Sequence, residues 1–287
     1  MHTQTRLTIE NHLEASFESL CSVTGGDINQ AFKAELSDGR TVFIKTNPSA
    51  PSDFFKTEAQ GLQWLRKPKV LEVPEVLGQS SEDQPAFLIL EWLPSEAPSP
   101  DFHQVFGRGL ALIHKSHPMQ FGLEHDNYIG TLQQANKPEK SWSDFYREQR
   151  LRPQLRLACN NQRLGQGCVK ALEAVMNRLE SILAPEEPPA RLHGDLWSGN
   201  LHVGPQGKPF LIDPSAYGGH REMDLAMMKL FGGFSQQTFD AYHETYPMEP
   251  GWEDRIELHQ IYPLLVHVNL FGGHYAGTVE RIAKRYS

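Results

Sequence analysis

Apolar residues recur at Ile9, Leu13, Phe17 and Leu20, and this spacing predicts a helix over Thr8–Leu20. The period changes after SVTGGDINQAF. AFKAEL and TVFIKT alternate like half-buried strands, and SDGR between them puts Asp38-Gly39 where a hairpin turn needs it. Ser52-Asp53 can cap a helix over Phe54–Leu65, in which Phe55, Leu62 and Leu65 share one face. VLEVPEVLG and AFLILEWL read as further strands. The opening stretch is therefore expected to be a small, mostly antiparallel sheet with one inserted helix.

LPSEAPSP has three prolines in eight residues and is the strongest linker signal in the chain. It separates an expected first domain, 1–93, from a mainly helical second domain, 94–287. Helical spacing begins at Asp101 with Phe102, Val105, Phe106, Leu110 and Ile113, and continues over Ser141–Leu157 and Val169–Leu183. NLHVG and PFLID, separated by PQGK, interrupt these helices as an expected hairpin. More helices follow between Glu222 and Tyr286, and Pro263 is expected to kink or divide the longest.

Composition narrows the function classes. The 287 residues are 39% hydrophobic and 22% charged, ordinary for a globular chain long enough for two domains. A net charge of −8 argues against a nucleic-acid or membrane-surface partner. An acidic protein that handles phosphate must recruit local cations, from lysine or Mg²⁺. Cys21, Cys159 and Cys168 are widely spaced and show no metal-binding pattern, as expected of free thiols in a reducing compartment. Neither a signal peptide nor an apolar run of the ~18–20 residues that span a membrane is seen, so a cytoplasmic protein is expected, by default a monomer.

Four groups could carry chemistry. Gly25-Gly26 could bring backbone N–H groups close to a phosphate; on their own a plain hairpin turn explains them better, and their position just before a β-hairpin is what favours the phosphate. Lys45 shares a strand face with Phe43, opposite Val42 and Ile44, and on its own is only a solvated charge. Glu58 changes that reading. It falls on the apolar stripe of its helix, where an unpaired carboxylate is costly, and Lys45 is the nearest cation by topology; a helix rotated to expose Glu58 is the alternative. The fourth group is RLHGDLWSGN, where His193, Asp195 and Asn200 surround two glycines, followed thirteen residues past Asn200 by the strand-ending Asp213.

If NLHVG and PFLID pair, their outer ends bring Asn200 and Asp213 together, with Asp195 nearby. Two bare carboxylates ~4 Å apart repel by roughly 4 kcal/mol at an effective dielectric of ~20, so such a site wants a cation, and oxygen ligands favour Mg²⁺ over zinc. H-x-D-L-x-x-x-N has the residues phosphoryl transfer needs: a carboxylate to orient a hydroxyl and ligands for the metal that neutralises phosphate. A metallohydrolase using His193 and His202 is the competing reading, and it leaves Lys45, Glu58 and the glycines unexplained. Asp224 is read as a cap or as a structural carboxylate bonding the loop.

Glycine turn, strand lysine, helix glutamate, proline-rich hinge, HGDLxxxN and strand-ending aspartate occur in the order found in kinases. The chain resembles the protein-kinase-like fold in its small-molecule branch, with HGD and DPS where protein kinases carry HRD and DFG. GGDINQAF, HGDLWSGN, IDPSAYGGHREMDLAM and IGTLQQANKPEKSWSDFYREQRL further resemble the fructosamine/ketosamine 3-kinase family along essentially the whole chain. The resemblance implies an α+β, two-lobed fold, with a small antiparallel sheet and one key helix before a helical lobe. It also implies ATP- and Mg²⁺-dependent phosphorylation of the 3-hydroxyl of a ketosamine, free or on lysine. The unstable product would then lead to deglycation. By matching motif, Asp195 would be the base, and Asn200 and Asp213 would hold Mg²⁺. Lys45 would contact the α/β-phosphates and Glu58 would orient it, while Gly25 and Gly26 would approach the phosphates. Backbone groups of Glu91, Trp92 and Leu93 would bond adenine. Trp197 would either stack on the substrate or pack under the loop. The redox-active loop cysteine of some members is replaced here by Asp27, so that regulation is not carried over. A kinase for another alcohol, such as an aminoglycoside or amino alcohol, and an inactive nucleotide-binding protein are the alternatives.

Overall fold

The computed structural model describes residues 1–23, 28–272 and 274–287. Its elements run α1 (Thr3–Leu13), β1 (Phe17–Val23), β2 (Gln30–Leu36), β3 (Thr41–Thr46), α2 (Phe54–Arg66), β4 (Val76–Gln79), β5 (Phe87–Glu91) and α3 (Phe102–His114). Then come β6 (Asn127–Ile129), β7 (Leu132–Gln134), α4 (Trp142–Phe145), a π-helical turn (Tyr146–Leu151), α5 (Arg152–Asn160), α6 (Gln166–Ile182) and β8 (Ala190–Leu192). β9 (Leu201–Val203), β10 (Pro209–Leu211), β11 (Tyr217–Gly219), α7 (Glu222–Phe231), α8 (Gln236–Thr245), α9 (Trp252–Phe271) and α10 (Tyr275–Tyr286) complete the chain. The fold is α+β. It divides into two compact units, 1–102 with 201–214, and 103–200 with 215–287.

In the first unit an antiparallel sheet has the order β1-β2-β3-β5-β4. The β2–β3 connection is a three-residue loop closed by Leu36 N–H donating to the Arg40 carbonyl at 2.9 Å, with Gly39 at φ +86° supplying the left-handed corner. Strand alternation buries Ala34, Leu36, Val42, Ile44, Phe87 and Ile89 against Ile9 and Leu13 of α1. The β9–β10 hairpin, with Leu201 opposite Leu211, packs in this unit too. Leu211 N–H donates to Glu72 O at 3.0 Å, Glu96 N–H to Val203 O at 3.1 Å, and Ser99 N–H to Gly207 O at 3.1 Å.

In the second unit α9 forms the spine of the core, with Leu258, Ile261, Leu265 and Val268 meeting Trp142, Phe145, Tyr146 and the buried faces of α6 and α10. β8 pairs antiparallel with β11, and β6 with β7. Among the described residues no helix is long and apolar enough to cross a membrane.

Four elements depart from expectation. The helix expected over Thr8–Leu20 ends at Leu13, because Glu14 adopts φ +54° and the chain turns into β1. Phe17 still reaches the same core as Ile9 and Leu13, from a strand rather than a helix. The VLEVPEVLG strand shortens to Val76–Gln79, since Pro74 has no N–H for a ladder and Glu75 N–H donates to the Glu91 carboxylate at 2.7 Å. The single helix expected over Ser141–Leu157 is broken by the π turn before Pro153. Pro153 offers no N–H to the Gln149 carbonyl, which accepts from Arg150 Nη1 at 3.0 Å instead. Conversely, α9 runs undivided through Pro263. The His259 carbonyl, which Pro263 cannot serve, lies 3.4 Å from the Tyr146 hydroxyl, which donates to Leu258 O at 2.8 Å.

Candidate active site

The residues singled out from the sequence fall in both units. In the first, Lys45 leaves β3 on the face opposite the fully buried Val42 and Ile44. Its Nζ donates to Glu58 Oε1 at 2.7 Å and to Asp213 Oδ1 at 2.5 Å. The pairing inferred from the position of Glu58 on the apolar stripe of α2 is therefore present. Burial works against the charge on Lys45, but the Asp213 and Glu58 carboxylates outweigh it and raise the ammonium above its ordinary range. Burial raises Glu58, with Lys45 opposing the shift. Asp213 follows β10 at φ +53°, a left-handed conformation uncommon for a non-glycine residue, and its side chain stays 44% exposed.

Glu91 closes β5; its N–H donates to Glu75 O at 3.0 Å, and its carboxylate accepts from Glu75 N–H. Trp92, the next residue, lies 6.4 Å from the Phe43 ring and carries Lys33 Nζ 5.4 Å from its own ring centroid. Leu93 follows outside any regular element. Gly25 and Gly26 lie outside the described residues.

In the second unit β8 delivers the chain into RLHGDLWSGN. The buried Asp224, two residues into α7, accepts from His193 N–H at 2.8 Å and from Gly194 N–H at 2.9 Å. Asp224 also meets His114 Nε2 at 3.1 Å, and His114 Nδ1 lies 2.7 Å from the Tyr242 hydroxyl. Burial works to raise Asp224, but the His114 hydrogen bond, the neighbouring histidines and the Gly194 N–H prevail and lower it. Asp224 is thus a structural carboxylate that ties down the start of the loop.

Ser215 N–H donates to His193 O at 3.0 Å. Gly194, at φ +82°, lies so close to the Ser215 carbonyl that a Cβ would sit 2.1 Å from its oxygen. Asp195 N–H donates to His193 Nδ1 at 3.2 Å, which makes that imidazole an internal brace. Asn200 Nδ2 donates to Asp195 O at 2.8 Å and to Asp195 Oδ2 at 3.2 Å. The Trp197 indole folds over Gly199, whose added Cβ would lie 2.2 Å from the ring, yet it remains 42% exposed. The ring packs on its own loop and keeps an open edge.

A group that sequence reasoning missed is His220, Glu222 and His259, buried with candidate ligand atoms within 4.8 Å of one another. Arg255 engages both Glu222 oxygens at 2.6 to 3.2 Å, so that carboxylate is already neutralised. His220 Nδ1 accepts from Glu222 N–H at 3.3 Å, and His259 Nδ1 meets Arg255 O at 3.2 Å. The cluster reads as structural. Its members come from the residues just before α7, from α7 and from α9, and spacing along the chain carried no signal for it.

The fold is that of the protein-kinase-like phosphotransferases. The chain superposes on an aminoglycoside phosphotransferase with ADP bound at a TM-score of 0.66 and 14% identity, covering 100% of this chain and 99% of the other. Sequence narrows the class. The fructosamine kinase family matches residues 1–286. A protein of Enterococcus faecium named probable ketoamine kinase is 37% identical over 270 residues, 92% of this chain and 94% of the other. A solved structure from Thermobifida fusca, named for fructosamine-3-kinase, is 36% identical at a TM-score of 0.91, covering 100% and 99% of the two chains. The chain belongs to the fructosamine kinase family and is a phosphotransferase.

Proposed function

We propose that the protein transfers the γ-phosphoryl group of ATP, with Mg²⁺, to the 3-hydroxyl of a ketosamine, either free or carried on a lysine. The unstable phosphate would then release the sugar. One observation carries the reading: Lys45, kept charged by Glu58 and Asp213 at 2.7 and 2.5 Å, is the buried cation an acidic protein needs to meet nucleotide phosphates. Family membership supports the acceptor class, and the ADP-bound phosphotransferase of the same fold supports the nucleotide.

In this reading Asp195 orients the acceptor hydroxyl and takes its proton, and Asn200 keeps that carboxylate in place through its amide nitrogen. Lys45 neutralises the α/β-phosphates while Glu58 holds its orientation. Gly25 and Gly26 approach the phosphates, backbone groups at Glu91, Trp92 and Leu93 receive adenine, and the open edge of Trp197 meets the sugar. The donor set suits magnesium: Asp213 offers a carboxylate, and Asn200, whose nitrogen serves Asp195, offers a carbonyl oxygen. When bound, the ion neutralises charge on the transferring phosphoryl group. Everything else is positioning and electrostatics by the chain's own groups. The demand for ATP supports a cytoplasmic setting, as do Cys21, Cys159 and Cys168, none of which is in a disulfide.

The test is ADP release with Mg-ATP and ribulosyl-lysine, fructosyl-lysine or an aminoglycoside, with Asp195→Asn as control. Turnover on a ketosamine is expected, falling by a factor of at least about 10² in the variant while nucleotide binding persists. Turnover on the aminoglycoside alone would replace the acceptor class. No ADP with any acceptor would remove the kinase reading.

A further inference from the structure

The segment NYIGTLQQAN and the Arg150 that follows it have no part in the proposed chemistry, yet they build a closed polar box inside the second unit. Asn127, Gln134 and Asn136 are all at most 4% exposed, and Arg150 is fully buried. Every amide has a direction. The Tyr262 hydroxyl donates to Gln134 Oε1 at 2.6 Å, so the Gln134 nitrogen faces the other way. That nitrogen donates to Asn127 Oδ1 at 2.8 Å and to the Ser215 carbonyl at 3.1 Å. Asn127 Oδ1 also accepts from Asn136 Nδ2 at 2.8 Å, which leaves Asn127 Nδ2 to donate to the Ala216 carbonyl at 2.9 Å.

Arg150 anchors the far side. Its guanidinium donates to Asn136 Oδ1 at 2.8 Å and to Ala135 O at 2.5 Å, and lies over the rings of Tyr217 and Phe145 at 3.8 and 4.6 Å. None of the ion pairs among the described residues includes Arg150. Carbonyl dipoles and aromatic faces compensate a buried cation here, an arrangement that orients neutral amides rather than neutralising an acid.

The box therefore ends in two N–H donors aimed at consecutive carbonyls, those of Ser215 and Ala216. The Ser215 peptide is also the surface on which Gly194 rests, and its N–H donates to His193 O. A shift of Ser215 must move residues 193 and 194, and Asp195 is next. We infer that Asn127 and Gln134 are positioning residues for the phosphoryl-transfer reaction: their amides fix the Ser215–Ala216 carbonyls that set where Asp195 stands. The inference rests on the reading of Asp195 as the group that orients the acceptor. No contact of either amide with substrate is involved.

Three near-isosteric variants separate this role from general stability. Asn127→Asp and Gln134→Glu keep the accepting oxygens that Asn136 and Tyr262 use, and lose the donors to Ala216 and Ser215. Asn136→Asp perturbs the same box and keeps an oxygen for Arg150. It loses its own donor to Asn127 Oδ1, but Gln134 Nε2 still donates there and holds the Asn127 amide, so the donors to Ser215 and Ala216 remain. With Mg-ATP and a saturating ketosamine, the first two are expected to lower kcat by about 10- to 100-fold, with the KM for ATP within about 2-fold. Asn136→Asp is expected to stay within about 3-fold of the parent in both constants. Amide hydrogen exchange over residues 191–200 is expected to quicken in the first two and not in the third.

Unchanged kcat in folded Asn127→Asp and Gln134→Glu, an equal loss in Asn136→Asp, or unchanged exchange over 191–200 would each overturn the inference. If Asn127→Asp does not fold, Gln134→Glu carries the same comparison. The exchange measurement needs no substrate, so an inactive parent protein would remove the kinase reading while exchange still decided whether the two amides hold residues 191–200 in place.

Discussion

Lys45 keeps its charge only because Glu58 and Asp213 meet it, and the two carboxylates are not equivalent: the Glu58 side chain is 12% exposed and that of Asp213 44%. Lys45→Met strands Glu58 in a poorly hydrated place. Breaking a buried pair from one side typically costs about 3–5 kcal/mol, most of it from the orphaned charge. Urea titration at pH 7.5 should show Lys45→Met losing stability of that order, and Lys45→Met/Glu58→Gln recovering more than half of it. A double variant no more stable than the single one would show that the pair is not the source. His220 supplies a pH dependence. Burial pushes it down to about 3, overcoming the favourable charge of Glu222, with His259, Arg221 and Arg255 adding to the fall. The unfolded chain, with an ordinary imidazole near 6.5, binds the proton first. The stability is complete above about pH 6.5 and is lost progressively as pH falls toward 3. Between pH 7.5 and 5.5 this one group should remove about 1.4 kcal/mol. His220→Asn should flatten the slope by that amount, and equal slopes would place the titration elsewhere.

The element that decides the proposed chemistry is the loop between β8 and β9, and its shape depends on Gly194. At φ +82° a side chain is strained, and a Cβ would collide with the Ser215 carbonyl, which is backbone and cannot swing aside. Gly194→Ala should leave far-UV circular dichroism unchanged and reduce kcat by a factor of about 10² or more; near-normal turnover would mean that the loop tolerates displacement. Legibility varied from element to element for physical reasons. The β2–β3 hairpin and the Glu58-bearing face of α2 were readable because local spacing alone fixes them. At Leu13–Phe17 the same four-residue spacing continues from a helix into a strand, and only the left-handed Glu14 marks the change. Pro263 does not divide α9, and nothing in the spacing announced the π turn before Pro153. The groups that serve their orphaned carbonyls are the Arg150 guanidinium and the Tyr146 hydroxyl, and the latter lies 113 residues from His259 in sequence. β6, β7, β8 and β11 are three residues each, too short for a period to register, and the equally short β9 and β10 were legible only through the PQGK turn between them. HGDLxxxN showed which residues cluster, but not the amide box behind them, because its members are joined by contacts of up to 128 residues.

At the scale of the whole molecule, the chain leaves its first unit after Phe102 and returns for residues 201–214. Nothing local in NLHVGPQGKPFLID indicates that return, because the groups it satisfies belong to Glu72, Glu96 and Ser99, about a hundred residues or more away. The hairpin closes three backbone hydrogen bonds there and brings Asp213 to Lys45, and its Leu211 is completely buried in the full chain. Each such bond is worth about 1 kcal/mol net, and loss of a buried leucine about 2–5 kcal/mol. Together they approach the 5–15 kcal/mol that holds a typical domain folded. Residues 1–102 expressed alone should therefore be largely unfolded, or melt without a cooperative transition. The same fragment carrying 201–214 on a flexible Gly/Ser linker should regain a sigmoidal urea transition. Leu211→Ala in the tethered form should shift that transition downward by about 2–5 kcal/mol. An identical cooperative transition with and without the hairpin would show that 1–102 is self-sufficient, and that the return of the chain serves only to carry Asp213.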